Sequence, residues 1–357
     1  MLRAIITVLL ISFITASAQD KKMEADASER ILVEEVQINF SATNTTGEFV
    51  KDVKLDDFVI LENGRLHQPV SLRYLPANVL ILIDVGSDIS YAKRRKISAE
   101  VAENLIRHLR NEDLIAVMQY TDKIEVICNW TSDKSLLLSK INENNLALGK
   151  KSAFYSALIE AVKFFETAKG NKHLVIITDG VDSFDNKETE LMAIRALLSS
   201  DINVHVVSWS KLQCRTIEEL LKTTPNIRKI DLPPGAEPPV RGATPTVSIK
   251  TVNLDRELVK KRKEDIQRLK RSEKLLTAIS EDTNGEIFLP DSEAEMIEKM
   301  SQLALNIDSQ YTATYIPKKS LSEAKIGEVR LIEVSSRRTG LIIQGKRKLI
   351  IGENLKP

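Results

Sequence analysis

Oxygen-bearing side chains follow two apolar runs of the sequence. Asp84 ends the run VLILID, and Asp179 directly follows the run LVIIT. Ser87 and Asp88 lie just after the first run, and Ser152 begins the predicted helix SAFYSAL. Ligands of an open α/β sheet bind at the carboxyl ends of its strands, so we expect these side chains at one edge. Carboxylates and hydroxyls suit a hard cation, so the pattern predicts Mg²⁺, with Ca²⁺, Mn²⁺ or no metal as alternatives.

Motifs of other chemistries are missing from the sequence. It contains no G-x-x-x-x-G-K-[ST] or G-x-G-x-x-G loop, no G-x-S-x-G elbow and no H-E-x-x-H helix. A haloacid-dehalogenase-type phosphotransferase needs a second Asp two residues after the first, and Gly86 occupies that position here. Cys128 has no evident base, and His173 and His205 lie at or within apolar strands, where packing or solvent-facing roles are expected.

The sequence therefore favours a binding protein over an enzyme. The alternative is a metal-dependent hydrolase or phosphotransferase that uses Asp84, Asp88 and Asp179, since three carboxylates at one crevice are typical of such enzymes. The absence of an evident nucleophile and general base argues against it. A further alternative is a metal-free structural scaffold that binds through another part of the chain.

The composition is that of a globular protein. The 357 residues include 51 basic and 50 acidic side chains, which gives a net charge of +1, and 43% are hydrophobic. A balance near zero argues against a nucleic-acid partner, and the length favours two domains. Two cysteines cannot form a disulfide framework, and we predict that Cys128 and Cys214 remain unpaired because the predicted strands place them far apart.

The first 18 residues, MLRAIITVLLISFITASA, are typical of a secretory signal peptide. Arg3 is the positive start, an apolar stretch follows, and Ala16-Ser17-Ala18 has the small-x-small form of a cleavage site. We therefore expect a periplasmic or secreted protein, with an uncleaved anchor as the alternative. No later stretch reaches 18 apolar residues, so no membrane span is expected after cleavage.

Hydropathy patterns divide the remaining chain. Residues 19–30 are predicted to be a polar, flexible leader. In residues 31–75, apolar and polar residues alternate as they do in short β-strands. Residues 76–310 alternate apolar runs with helical patterns, as in a doubly wound α/β domain. Residues 311–357 contain short strands that we expect to pair with 31–75. The predicted fold is thus α/β, a Rossmann-like domain inserted in a small β domain built from the N- and C-terminal strands.

An excursion over residues 210–280 interrupts the α/β pattern. Six of the eleven prolines lie between Pro225 and Pro245, and a charged helical pattern follows. Nine basic and five acidic residues stand between Asn253 and Lys274. This helix is either a basic docking surface for an acidic partner or membrane surface, or the solvated face of a helix packed along one edge.

These motifs resemble the von Willebrand factor type A domain over residues 76–310. That family holds its metal through a D-x-S-x-S loop, a Thr on a later loop and a later Asp, and Asp84, Ser152 and Asp179 occupy the matching positions. The loop D-V-G-S-D departs from the pattern, because Gly86 and Asp88 stand where serines belong. The resemblance implies a protein-binding or adhesion module for a protein or cell-surface ligand, with a degenerate metal site.

A closer resemblance extends over nearly the whole chain after the predicted signal. The chain is similar to the exported bacterial VWFA-related proteins that are abundant in acidobacteria. It shares with them the order of parts and several local motifs: Asp56-Asp57-Phe58 with Glu62-Asn63-Gly64, LLTAISEDTNGEIF, and Tyr311 to Pro317.

Overall fold

The computed structural model describes residues 34–86, 91–142, 145–147, 149–222, 224–229, 246–251 and 256–352. The predicted signal peptide and leader lie outside these residues. The strands, in chain order, are β1 (Val36–Thr43), β2 (Phe58–Glu62), β3 (Arg65–His67), β4 (Pro69–Arg73), β5 (Ala77–Asp84), β6 (Leu114–Tyr120), β7 (Ile124–Thr131), β8 (Asn171–Thr178), β9 (Asn203–Ser208), β10 (Thr224–Lys229), β11 (Thr246–Thr251), β12 (Ile287–Phe288), β13 (Gln310–Tyr315), β14 (Val329–Ser336), β15 (Ile342–Gln344) and β16 (Lys346–Ile350). The helices are α1 (Tyr91–His108), α2 (Lys134–Lys140), α3 (Phe154–Phe164), α4 (Lys187–Leu198), α5 (Ser210–Lys222), α6 (Arg256–Asp282) and α7 (Glu293–Asp308).

A six-stranded sheet in the order β12-β9-β8-β5-β6-β7 forms the centre of the α/β part. All neighbours are parallel except β7, which pairs antiparallel with β6. Helices α1, α2 and α7 cover one face, and α3, α4 and α6 cover the other. Because both faces are buried, the central strands are continuous apolar runs, and this confirms the predicted doubly wound fold.

Two four-stranded sheets combine both ends of the described chain. Their strand orders are β15-β1-β13-β4 and β16-β14-β2-β3. Strand β1 pairs antiparallel with β13, and β2 pairs antiparallel with β14. The two sheets share one apolar cluster, which includes Phe40, Phe58, Tyr315 and Ile332. This finding confirms that N-terminal and C-terminal strands form small sheets together, since neither set alone could bury its apolar side.

Several short elements were not predicted from the sequence. Strand β3 has three residues. Helix α2 has seven and is capped by the preceding Asp133, whose carboxylate accepts a hydrogen bond from the Leu136 amide at 3.0 Å. Within the excursion, α5 packs on α6 through Cys214, Ile217 and Leu269, and strands β10 and β11 pair between these helices in the chain. Elements of three to seven residues, such as β3, α2, β10 and β11, leave too few residues for a periodic pattern to be recognised.

A buried polar network joins the amino-terminal edge of the large sheet to strands β1 and β13. His173 Nδ1 and His205 Nε2 are 3.0 Å apart, and His173 Nε2 lies 2.7 Å from Asn171 Oδ1. Asn39 donates to Asn171 Oδ1 at 2.9 Å and accepts from the Thr312 hydroxyl at 2.9 Å. The histidines are 32 residues apart in the sequence, so only the pairing of β8 with β9 brings them into contact.

This histidine pair is expected to make the protein less stable in acid. Burial, followed by the charge of the neighbouring histidine, holds the pKa of His173 well below its usual value, and burial lowers that of His205 to about 4. A lowered folded-state pKa means that the unfolded chain binds more protons, so the stabilisation is complete above about pH 6.5 and is lost as the pH falls towards 4. From His205 alone, we expect a loss of about 2–3 kcal/mol near pH 4.5.

The measurement is the free energy of unfolding in denaturant between about pH 8 and 4.5, for the wild type and for His205→Gln. The difference between the two proteins isolates the contribution of His205, because Asp308 is present in both. Asp308 would otherwise mask the effect, since burial and Asp113 raise its pKa to about 7. Ionisation of Asp308 therefore costs stability as the pH rises. If wild type and variant lose the same free energy in acid, the buried pair is not the cause.

Among the described residues there is neither a membrane-spanning helix nor a disulfide bond. No helix among them is long and apolar enough to cross a membrane. Cys128 and Cys214 are both free and buried, and burial raises the pKa of each thiol.

Candidate functional site

Two of the predicted site residues lie at the carboxyl ends of adjacent parallel strands. Asp84 is the last residue of β5, and Asp179 directly follows β8. The pairing register ends with Ile83 opposite Ile177, which places both carboxylates at the same edge of the sheet. Only 2% of Asp84 and 6% of Asp179 is exposed. Buried carboxylates require partners, and these partners determine what the edge can bind.

Among the described residues, three groups donate hydrogen bonds to the Asp84 carboxylate. Its Oδ2 accepts from Thr178 Oγ1 at 2.8 Å and from Ser152 Oγ at 3.3 Å, and its Oδ1 accepts from the Gly86 amide at 3.1 Å. The structure thus brings Asp84 and Ser152 into direct contact, although they are 68 residues apart. Ser87 and Asp88 lie outside the described residues.

Ser152 is fixed by its backbone rather than by its position in a helix. Its amide donates to Ser183 Oγ at 2.9 Å, and its carbonyl accepts from the Ser183 amide at 2.8 Å. The next amide, that of Ala153, donates to the Thr121 carbonyl at 2.7 Å. Helix α3 begins only at Phe154, so the Ser152 hydroxyl is available to Asp84.

Helix α6 packs directly against the edge near Asp179. The Asp179 carboxylate accepts from the Val181 amide at 2.9 Å, and its carbonyl accepts from Ser272 Oγ at 2.5 Å. Gly180 has a φ of +69°, and a Cβ there would lie 2.4 Å from Ser272 Oγ. Only glycine suits this conformation and this close approach. The second half of α6 is therefore part of the wall of the candidate site.

Thr178 and Tyr120 belong to the site although the sequence analysis did not single them out. Thr178 Oγ1 uses its hydrogen in the hydrogen bond to Asp84. It therefore accepts a hydrogen bond from Tyr120 Oη, which is 2.9 Å away. Burial first, and then the charge of Asp84, raises the pKa of Tyr120 well above its usual value. Both residues end a strand, so a survey of every strand end would have found them.

Two glycines bring neighbouring loops into close contact at this edge. Gly86 and Gly149 form an isolated parallel bridge. A Cβ on Gly86 would lie 2.0 Å from the Lys151 carbonyl oxygen, and one on Gly149 would lie 2.3 Å from the Thr121 side chain. The Gly86 position therefore excludes any side chain while residues 149–152 keep this path.

The donor chemistry of this edge fits a hard cation. Asp84, Ser152 and Asp179 offer oxygen atoms only, which Mg²⁺, Ca²⁺ and Mn²⁺ accept. If a cation bound here, the Asp84 carboxylate would coordinate it in place of some of its present hydrogen bonds. The residues placed by the structure contain no group of three His, Cys, Asp or Glu side chains that could hold a metal. Among the described residues, the oxygen donors of the predicted set are the carboxylates of Asp84 and Asp179 and the hydroxyl of Ser152, and the Thr178 hydroxyl also contacts Asp84.

Comparison with known families identifies this part of the chain. Residues 78–229 match the model of the von Willebrand factor type A domain. The match contains Asp84, Ser152 and Asp179 and most of the six-stranded sheet. The match and the doubly wound sheet support a von Willebrand factor type A domain in this part of the chain, and such domains commonly mediate protein interaction and metal-dependent binding.

Solved structures that match this chain come from several organisms. A von Willebrand factor type A protein from Catenulispora acidiphila is 13% identical, covering 89% of this chain and 75% of that chain, with a TM-score of 0.43. Manganese-loaded TRAP protein from Plasmodium vivax is 10% identical, covering 82% and 98%, with a TM-score of 0.41. An aerotolerance-related membrane protein from Bacteroides fragilis is 15% identical, covering 64% and 98%, with a TM-score of 0.37. A search of curated protein sequences found no match.

Proposed function

We propose that the chain is an exported protein-binding module that engages a protein or cell-surface ligand through the carboxyl edge of its six-stranded sheet. A divalent cation, Mg²⁺ before Ca²⁺ or Mn²⁺, joins Asp84, Ser152 and Asp179 at this edge. Asp88, which lies outside the described residues, adds a third carboxylate. In this proposal the module is one of the VWFA-related proteins. It is periplasmic or secreted, because its first 18 residues are typical of a secretory signal peptide.

The observation that carries this proposal is the convergence of hydroxyls on one buried carboxylate. Asp84 Oδ2 accepts from Ser152 and Thr178 beside Asp179, at the edge where α/β sheets bind their ligands. A buried, prearranged set of oxygen atoms costs little further ordering when a cation binds.

A role in binding, rather than catalysis, is supported by the positions of the nucleophilic and basic side chains. His173 and His205 lie at the starts of β8 and β9, at the opposite end of the strands from Asp179. Cys128 and Cys214 are buried, and their raised pKa values disfavour the reactive thiolate.

Calorimetric titration of the chain without residues 1–18 tests the cation site. We expect Mg²⁺, Ca²⁺ or Mn²⁺ to bind with a sub-millimolar Kd, and Asp84→Asn and Asp179→Asn each to weaken binding at least tenfold, because each removes a charged oxygen ligand. Asp56→Asn, which changes an exposed carboxylate in another part of the chain, is the control and should bind as the wild type does. A folded protein that releases no heat with any of the three cations would contradict the cation-dependent site.

An assay of turnover with the same protein distinguishes a binding role from a catalytic one. We expect no turnover of p-nitrophenyl phosphate or p-nitrophenyl acetate with Mg²⁺ or Mn²⁺. Turnover that disappears in Asp84→Asn would instead favour the metal-dependent hydrolase.

A further inference from the structure

The outward face of helix α6 carries a long row of residues that are basic except for Gln267. Exposed residues follow one another at intervals of three or four positions: Arg256, Lys260, Lys263, Gln267, Lys270 and Lys274. Since an α-helix has 3.6 residues per turn, these residues share one face. From the helical rise, the row is about 27 Å long. Arg271 is exposed beside it. We call these seven residues the basic row.

The charges of the basic row are poorly neutralised. Lys260, Lys270 and Arg271 each have a carboxylate partner, but at 4.0, 3.9 and 3.8 Å, and these three side chains are 80%, 62% and 67% exposed. Among the described residues, Arg256, Lys263 and Lys274 form no ion pair. Like charges three or four residues apart destabilise a helix, so the row carries a cost within the isolated chain.

The opposite face of the second half of α6 packs against the rest of the domain. Leu269, Leu276 and Ile279 are buried against α5 and the large sheet. Near the start of the helix, Arg262 donates to the Leu220 carbonyl at 2.8 Å. The half of the basic row that contains Lys270, Arg271 and Lys274 is therefore presented on a packed support, and a partner that binds it does not need to order this part of the helix first.

We propose that the basic row binds an acidic helical segment of a partner protein. A helix with carboxylates at three- and four-residue spacing repeats with the same period as the cations, so successive ion pairs form without bending either helix. The chain has a net charge of only +1, so the attraction comes from this face rather than from the protein as a whole.

Features of this face favour a protein partner over other anions. Among the described residues, none of the large apolar side chains that are exposed lies on α6, whereas a helix that lies on a membrane inserts such residues. A single straight row also differs from the broad basic surface of a typical nucleic-acid protein. The proposal does not depend on the cation at the edge of the sheet.

Fluorescence anisotropy with a defined probe tests this proposal. The probe is a labelled 21-residue helical peptide with Glu at every third and fourth position, and its Gln counterpart is the neutral control. The full chain is compared with two variants that lose three exposed lysines each and therefore have equal net charge. The row variant is Lys260→Gln/Lys263→Gln/Lys274→Gln, and the matched control is Lys169→Gln/Lys318→Gln/Lys325→Gln.

We expect the row variant to bind the Glu peptide at least tenfold more weakly than the wild type, and the control variant to differ by less than twofold. Binding should weaken as the salt concentration rises from about 50 to 300 mM, because exposed charges are screened. Peptide binding should be the same with Mg²⁺ and with excess EDTA, which separates this surface from the proposed cation site.

Three results would overturn the proposal. The first is no binding of the Glu peptide at millimolar concentration and low salt. The second is an equal loss of affinity in both triple variants while circular dichroism shows that both are folded. The third is tighter, row-dependent binding of a 20-nucleotide oligothymidylate or of phosphatidylserine vesicles, which would assign the surface to a nucleic acid or a membrane.

Discussion

Replacing Arg330 by Met is expected to lower the free energy of unfolding by about 3–5 kcal/mol. The arginine lies on β14 and is almost fully buried, and its Nη1 is 3.2 Å from Glu62 Oε1 on β2. The guanidinium also donates to the carbonyls of Lys319 and Ser320. Without it, the buried Glu62 carboxylate keeps, among the described residues, only the hydrogen bond from Tyr315, at 2.7 Å, and its charge is uncompensated. The loss would be a large part of a typical total stability of about 5–15 kcal/mol.

Denaturant titration at neutral pH measures this loss. Lys346→Met is the matched control, because its ion pair with Glu333 at 3.2 Å is exposed and should be worth less than about 1 kcal/mol. Adding Glu62→Gln to Arg330→Met should recover part of the stability, since it removes the uncompensated charge. A loss below about 1 kcal/mol in Arg330→Met, or no recovery in the double variant, would show that the buried pair is not what stabilises these sheets.

Replacing Gly86 by Ser is expected to destabilise the protein by at least about 2 kcal/mol and to leave cation affinity no higher than in the wild type. The substitution would restore the serine of the D-x-S-x-S pattern. However, a Cβ at this position would lie 2.0 Å from the Lys151 carbonyl oxygen and 3.1 Å from the Ser152 Cα. The neighbouring loop would have to move, and Ser152, which contacts Asp84, would move with it.

Gly86→Ala serves as the control in this experiment. It adds the same Cβ without the hydroxyl, so it should cost about as much stability as the serine. Denaturant titration gives the stability of both variants, and calorimetry with Mg²⁺ gives their affinity. A serine variant that is as stable as the wild type and binds Mg²⁺ more tightly would mean that the loop adapts freely and that the departure from the pattern can be reversed.

The sequence was sufficient for the main elements of the fold. Runs such as Val79–Ile83 and Leu174–Thr178 predicted strands that are buried on both faces, and the structure has them in β5 and β8. The alternation near Val36 and the strand near Tyr311 predicted small sheets from both ends of the chain. Such patterns are informative because the side chains on one face of a strand or a helix recur at a fixed spacing in the sequence.

The candidate site was predicted in part, for the same reason. Because all parallel strands end at one edge, Asp84 and Asp179 could be placed there from the strand pattern alone. Thr178 and Tyr120 also stand at strand ends, but their hydroxyls serve the site only because both are aimed at one carboxylate. That aim depends on the side-by-side packing of β5, β6 and β8.

The tertiary structure decided the contacts between residues that are distant in the sequence. Sequence periodicity indicates that a side chain faces inward, but it does not identify the side chain that it meets. The contact of His173 with His205, the burial of Arg330 beside Glu62 and the approach of Lys151 to Gly86 all connect separate elements. The sequence by itself determined the main strands and helices and the edge that carries the carboxylates. Their packing decided which charges are buried, which are paired and which remain exposed on α6, because burial and pairing depend on neighbours that only the folded chain supplies.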